Sequence, residues 1–339
     1  MPRATTPAQY ALILIDMVES DGCAVQDVLA GTTLAQSGIA SIGARISDRD
    51  FWQLVENAIA LTGKPQLGLE LGMRLNLSAH AILGQAFMTC RDLAQVMDLF
   101  LKYYHLLAPA LELDFDILGE HCVLTTVSYP EDALPEFSYE LIYAAVLNTL
   151  RGLLNLQTLE LRVELPYPAP AYAALYFETF GDDVQFDCVT GRISFHRDLL
   201  ERALPSSNPA LRTLYEQECA RLLADLEEGD SIAEQTLRLL RKLEGQYPQM
   251  PQIAKFLNMS PRTYRRRLEE ENLSYQGLLD KVRAEHATRY LQNTRLPLSS
   301  IAYMVGFNDS SNFRRAYRKW TGYSPREVRN GQSAVHLPG

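Results

Sequence analysis

Arg262, Thr263 and Arg266, and further along Ser311, Asn312, Arg315 and Arg318, are side chains of the types that read a DNA duplex. Arg can place two donors on guanine, Asn can pair with adenine, and Ser or Thr reaches base edges or phosphates. At about 100° per residue, each set falls on one side of a helix. In the first set that side is opposite Tyr264 and Leu268, with Glu269 alongside; in the second it is opposite Phe313 and Tyr317. A solvated helix face is the ordinary explanation of exposed arginines taken alone, so the reading depends on the elements that position them.

Those elements occur twice. The run Ile253-Ala254-Lys255-Phe256-Leu257-Asn258-Met259-Ser260 is answered by Ile301-Ala302-Tyr303-Met304-Val305-Gly306-Phe307-Asn308-Asp309. Ile253 and Ile301 are 48 residues apart, whereas Ser260/Asp309, Tyr264/Phe313 and Leu268/Tyr317 are each 49 apart, so one residue is inserted in the second turn. Ser260 and Asp309 are good N-caps, Pro261 suits a first helical position, and the large residues four and eight places after each cap make a buried stripe. Each copy is therefore expected to be a helix-turn-helix. Between them Tyr275 to Gln292 has no Pro, carries apolar residues at helical spacing and predicts a rod of about 27 Å. With its flanking offsets, such a rod can hold two reading helices in successive major grooves, about 34 Å apart.

Residues from about Pro248 to Arg329 closely resemble the double helix-turn-helix domain of AraC-type transcription regulators. The most specific part is Ser300-Ile301-Ala302, Gly306-Phe307, Phe313-Arg314-Arg315-Ala316-Tyr317 and Trp320-Thr321-Gly322-Tyr323-Ser324-Pro325, with Arg283, Ala287 and Leu291 also in place. The resemblance implies base or phosphate contacts by Arg262, Thr263, Arg265 and Arg266 in the first reading helix and by Ser310, Ser311, Asn312 and Arg315 in the second. One departure is Asn258, where the family usually has Gly at the turn; Asn also tolerates the left-handed conformation.

A net charge of -9 over 339 residues looks wrong for a DNA binder until the chain is divided. Gln246 to Asn330 holds 15 Lys+Arg against 7 Asp+Glu, net +8, and the remainder 17 against 34, net -17. A basic module supplies phosphate attraction, while an acidic partner domain stays off the duplex. The five cysteines, Cys23, Cys90, Cys122, Cys188 and Cys219, include no C-x-x-C, which fits reduced thiols in a cytoplasmic protein without disulfide framework or zinc site. No apolar run reaches 18 residues, so no membrane association is expected.

The N-terminal two-thirds mixes helical periodicity (Phe51 to Leu61, Asp92 to Leu106, Glu136 to Leu153, Asn208 to Leu226) with two alternating strands, Leu111 to Ile117 and Leu159 to Leu165. In the first strand Asp114 and Asp116 take the wet face opposite Leu113, Phe115 and Ile117. The fold expected is an α+β sensor domain followed by an all-α double helix-turn-helix domain. Leu67-Gly68-Leu69-Glu70-Leu71-Gly72, His80 to Phe87 and Phe180-Gly181 through Phe186 resemble the arabinose-binding type of N-terminal domain found in one branch of AraC-type regulators. That resemblance implies a sensing or dimerising domain and does not imply arabinose as its ligand.

No motif of metal ligation, nucleophilic catalysis or nucleotide binding occurs, so no catalytic residue, metal or cofactor is expected. His80, His105, His121 and His196 read as core or surface histidines. Tyr103, Tyr104 and His105 either line a small-molecule pocket or pack into the core, and no effector-binding residue is assigned. The chain divides as an effector-sensing or dimerising domain 1–226, a linker 227–235, a DNA-binding domain 236–330 and a disordered tail 331–339. The expected function is an effector-responsive activator acting on double-stranded DNA, with a small-molecule effector, RNA polymerase and a second copy in a homodimer as partners. A ligand-independent regulator whose N-terminal domain only dimerises or binds protein is the alternative. A DNA-modifying enzyme with the same reader would need an activated thiolate near DNA, and Cys188 and Cys219 lie outside the basic module.

Overall fold

The computed structural model describes residues 5–37, 44–109, 111–127, 135–159, 161–228, 231–243 and 245–330. They form two compact units, 5–228 and 231–330. The first is α+β and the second all-helical, as the hydrophobic periodicities predict.

In the first unit β1 (Thr5–Pro7) pairs antiparallel with β2 (Arg45–Ser47), enclosing α1 (Ala8–Ser20), α2 (Val25–Val28) and α3 (Leu34–Ser37). Next come α4 (Asp48–Thr62), α5 (Leu67–Arg74), α6 (Ala81–Met88) and α7 (Leu93–Tyr103). Local signals set their ends: Ser47 Oγ accepts from Asp50 N at 3.1 Å to start α4, and Gly63 at φ +66° stops it. The rest comprises β3 (Glu112–Leu118), β4 (His121–Val127), α8 (Glu136–Leu154), β5 (Arg162–Glu164), α9 (Ala174–Phe180), β6 (Val184–Gln185), β7 (Gly191–His196) and α10 (Pro209–Glu228).

The sheet order is β3-β4-β7-β5-β6, antiparallel except for the parallel β5–β6 pair. The glycines of the Leu67–Gly72 segment have a packing role. A Cβ on Gly72 would lie 2.6 Å from Ala144 Cβ and 2.7 Å from the Leu141 carbonyl, so α5 approaches α8 backbone to backbone. Tyr143, Ala144 and Leu147 on α8 are then fully buried, each large side chain contributing about 1.5–3 kcal/mol of apolar transfer.

Three expectations need correction. Ile117 and Leu118 are 52% and 63% exposed, because β3 is the edge strand and its far end lies beyond the core. Alternation from Leu159 to Leu165 does bury Leu159, Leu161, Val163 and Leu165, yet the strand itself spans only Arg162–Glu164. The stretch 227–235 is helical at both ends. Helix α10 runs to Glu228, and Ser231 starts the next helix through a capping box with Glu234, whose amide donates to Ser231 Oγ at 3.2 Å. The tail 331–339 lies outside the described residues.

The second unit holds α11 (Ile232–Lys242), α12 (Met250–Phe256), α13 (Pro261–Glu270), α14 (Tyr275–Asn293), α15 (Leu298–Met304), α16 (Ser310–Thr321) and α17 (Pro325–Arg329). It has two apolar clusters with α14 common to both. Leu278, Leu279 and Val282 join Ile232, Ile253, Tyr264 and Leu268, whereas Ala284, Ala287 and Leu291 join Ile301, Phe313, Tyr317 and Trp320.

Candidate nucleic-acid interface

The two helix pairs, α12–α13 and α15–α16, are built by the same hydrogen bonds. Leu257 N donates to Ile253 O at 3.0 Å and Met259 N to Ala254 O at 2.8 Å; Val305 N donates to Ile301 O at 3.0 Å and Phe307 N to Ala302 O at 2.8 Å. These bonds keep the 48-residue register through Phe307, so the extra residue of the second turn is Asn308, between Phe307 and the cap Asp309. The turn residues Asn258 and Gly306 have φ of +53° and +84°. Asn thus serves where glycine sits in the second copy. Gly306 takes that conformation without strain, and a Cβ there would come within 2.9 Å of Arg283 Nη2, so the guanidinium would have to shift.

Each second helix begins at a capped turn. Ser260 Oγ accepts from Thr263 N at 3.1 Å, and Asp309 Oδ1 accepts from Ser311 N and Asn312 N at 2.9 and 2.8 Å. These amide bonds hold the Asp309 carboxyl below the usual range. Each helix then buries its stripe: Tyr264, Leu268, Phe313 and Tyr317 are at most 1% exposed. The two buried tyrosine hydroxyls are satisfied, Tyr264 with Thr236 Oγ1 at 2.7 Å and Tyr317 with Thr288 Oγ1 at 2.6 Å, and burial pushes both phenols up to about 12.

The stripes turn the arginine rows outward. Arg262, Arg265, Arg266, Ser311, Asn312, Arg315 and Arg318 are exposed, and Thr263 and Ser310 half-buried. Thr263 Oγ1 lies 2.8 Å from Ser260 Oγ, so its hydroxyl is tied to the cap. On α16 a chain is set up in advance: Asn312 Nδ2 donates to Asp309 Oδ2, and Arg315 Nη2 donates to Asn312 Oδ1 at 2.6 Å. Arg266 Nε stands 3.7 Å from Glu270 Oε1, both largely exposed, a pair of little energetic weight.

Helical arithmetic alone leaves out Arg314, which corresponds to Arg265 in the 49-residue register and is likewise exposed. Both lie on the flank of the row, where a long basic side chain suits phosphate contact better than base reading. The spacing of the two copies is the signal that finds Arg314.

Helix α14 is anchored at its middle. Glu285, 1% exposed, takes Arg241 in two bonds of 3.0 Å, and His286 Nδ1 lies 2.7 Å from Tyr247 Oη. The Arg283 guanidinium stacks over Tyr247 and Phe307 at 5.0 and 5.5 Å. Nineteen residues give this helix a length of about 28 Å.

In the first unit Tyr103 is buried in the core, whereas Tyr104 lines a cavity and stacks on His105 at 4.1 Å. His80 is a buried histidine bonded on both ring nitrogens. The cysteines are all free, and burial pushes the Cys90 and Cys219 thiols up to about 11 and 12, away from a reactive thiolate. Among the described residues no cluster could hold a metal ion and no helix is long and apolar enough to cross a membrane.

Comparison with known proteins gives two family matches. Residues 22–204 match the family model for the arabinose-binding domain of AraC transcription regulators, N-terminal, and residues 253–331 that for a helix-turn-helix domain. The chain is 39% identical over 324 residues to the ornithine utilization regulator of Pseudomonas aeruginosa, covering 95% of this chain and 96% of the relative. It is 26% identical to the HTH-type transcriptional regulator VqsM of the same species, covering 78% and 83% of the two chains. The crystal structure of transcriptional regulator CdpR, also from P. aeruginosa, aligns over 95% of this chain and 98% of its own at TM-score 0.43 and 23% identity.

Proposed function

Since the chain belongs to the AraC-type transcription regulators and binds DNA through its helix-turn-helix domain, we propose that both of its helix pairs read DNA, in two successive major grooves. The observation that carries this reading is the pair of solvent-facing rows, Arg262/Arg266 and Asn312/Arg315, on helices with matching turns packed on the two halves of α14. Arg266 and Arg315 take the guanine-reading role and Asn312 pairs with adenine. Thr263, Ser310, Ser311 and Arg318 reach base edges or phosphates beside them, and Arg262 and Arg265 grip the backbone. A rod of about 28 Å, extended by the offsets of α13 and α16, can bridge one helical repeat of about 34 Å.

In this reading the DNA-binding domain opens with α11 and runs to residue 330, and effector sensing belongs to the unit of residues 5–228. In this reading an N-terminal ligand changes how the C-terminal unit engages its operator, and the protein works as an activator through contact with RNA polymerase, as a homodimer on paired sites. Two weak modules on one chain gain from effective concentration, and a dimer gains again. The test is to map DNA bound by the full chain in cells and to measure transcription of the neighbouring operon with and without the gene. Bound sites whose operons keep their expression under every growth condition would refute effector-responsive activation.

A further inference from the structure

The unit of residues 5–228 carries a partly open cavity of about 230 Å³ between α4, α7 and α8 and one face of the sheet. We propose that this cavity is the effector site and that its ligand is an uncharged, largely apolar molecule, of the aryl or medium-chain aliphatic class, carrying one hydrogen-bonding group. The inference rests on the effector-responsive reading above and names the chemistry of that effector.

The walls decide the class. Apolar side chains, among them Phe51, Trp52, Phe87, Met97, Phe100 and Ile193, supply most of the surface. The polar groups that reach it are largely satisfied by one another. Tyr10 Oη lies 2.9 Å from His80 Nδ1, and His80 Nε2 lies 3.0 Å from Thr149 Oγ1. Burial lowers the His80 pKa to about 4, so the imidazole is neutral and offers no charge to an anion. Asp48 Oδ1 already accepts from Thr6 Oγ1 at 2.8 Å, and burial raises the pKa of its carboxyl despite Thr6 and the charge of nearby Arg45. Among the described residues no Lys or Arg lines the cavity. An amino-acid zwitterion would leave its carboxylate without a cation, and a pentose would leave several hydroxyls without partners, each at a cost of about 1–3 kcal/mol.

The polar chain Tyr10–His80–Thr149 provides a place for one hydroxyl, amide or ring N–H. At the roughly 30 Å³ that one water molecule takes up in the liquid, the cavity holds a ligand of about eight non-hydrogen atoms. Such a body desolvates well against aromatic walls.

The full chain is to be titrated with 1-octanol and with benzyl alcohol, against octanoate, L-arabinose and L-ornithine, following thermal midpoint and tryptophan emission. The expected result is that one or both neutral apolar probes raise the midpoint by several degrees, as mass action requires, and shift the emission. The emission response disappears in Trp52→Phe while the thermal response remains. Ala145→Leu, which fills the cavity, weakens probe binding at least tenfold; should that variant not fold, the Trp52→Phe comparison locates the probe by itself. Absence of binding by both apolar probes, an emission change that survives in Trp52→Phe, or tighter binding of arabinose, ornithine or octanoate would overturn the proposed class. Cavity binding that leaves operator affinity unchanged for every bound ligand would uphold the class and remove the effector-responsive reading.

Discussion

Arg315→Ala isolates the reading role from folding. Arg315 is exposed, and its hydrogen bond within the chain goes to the exposed Asn312. Its removal therefore leaves stability within about 0.5 kcal/mol. Loss of a two-bond contact to guanine costs about 1–3 kcal/mol of specific binding, or roughly 5- to 150-fold in Kd. The assay is fluorescence anisotropy of the full chain on an operator selected from a random pool, repeated over a salt series. A base contact predicts relaxed preference at one base pair with a nearly constant salt slope, whereas a phosphate contact would reduce the slope by about 0.9 and weaken all sequences alike. Arg266→Ala should do the same at a second position, and the double variant should fall towards non-specific affinity while melting as before. An unchanged Kd and base preference in the double variant would show that the assigned face does not touch DNA.

Other outcomes follow from the same contacts. Ser260→Ala removes the acceptor for Thr263 N and should cost about 1 kcal/mol of helical stability in the C-terminal unit, read by denaturant titration. Gly72→Ala places a methyl 2.7 Å from the Leu141 carbonyl and should lower the stability of the N-terminal unit by about 1–3 kcal/mol, read calorimetrically. His80 and Glu140 give opposing pH dependences. Burial lowers His80 to about 4, so from pH 6.5 down to 4 the unfolded chain binds the extra proton and stability falls on acidification. Burial raises Glu140 to about 7 despite the hydroxyls of Tyr176 and Tyr172, so between about 4.5 and 7 the folded chain holds the extra proton and stability falls as pH rises. Each contribution is on the order of 3 kcal/mol, and together they nearly cancel. Glu140→Gln should therefore expose a loss of stability towards pH 4, and His80→Gln a loss towards pH 7, both read from thermal midpoints.

The C-terminal unit is legible because its signals are local. Caps, turn residues and the stripe of Tyr264, Leu268, Phe313 and Tyr317 fix each helix, and their repetition separates the pattern from chance. Sequence also carries the left-handed turn at Asn258, since few other residues adopt that backbone conformation without strain. The N-terminal unit is harder to read because its decisive contacts are distant in the chain. Glycine at position 72 is visible, but only packing shows that it admits the α8 backbone, 69 residues beyond at Leu141. Likewise Tyr103 and Tyr104 are adjacent and chemically alike, yet one is in the core and the other on the cavity wall. The exposed end of β3 depends on sheet order, which alternation in one strand does not encode.

Methylation interference at guanine N7 in the major groove tests the central claim most directly, with the full chain on its selected operator. Two clusters of interference per monomer, about one helical turn apart on one side of the duplex, are predicted, one lost in Arg266→Ala and the other in Arg315→Ala. A single cluster, or two clusters that both persist in the variants, would contradict the reading of successive grooves by the two helix pairs.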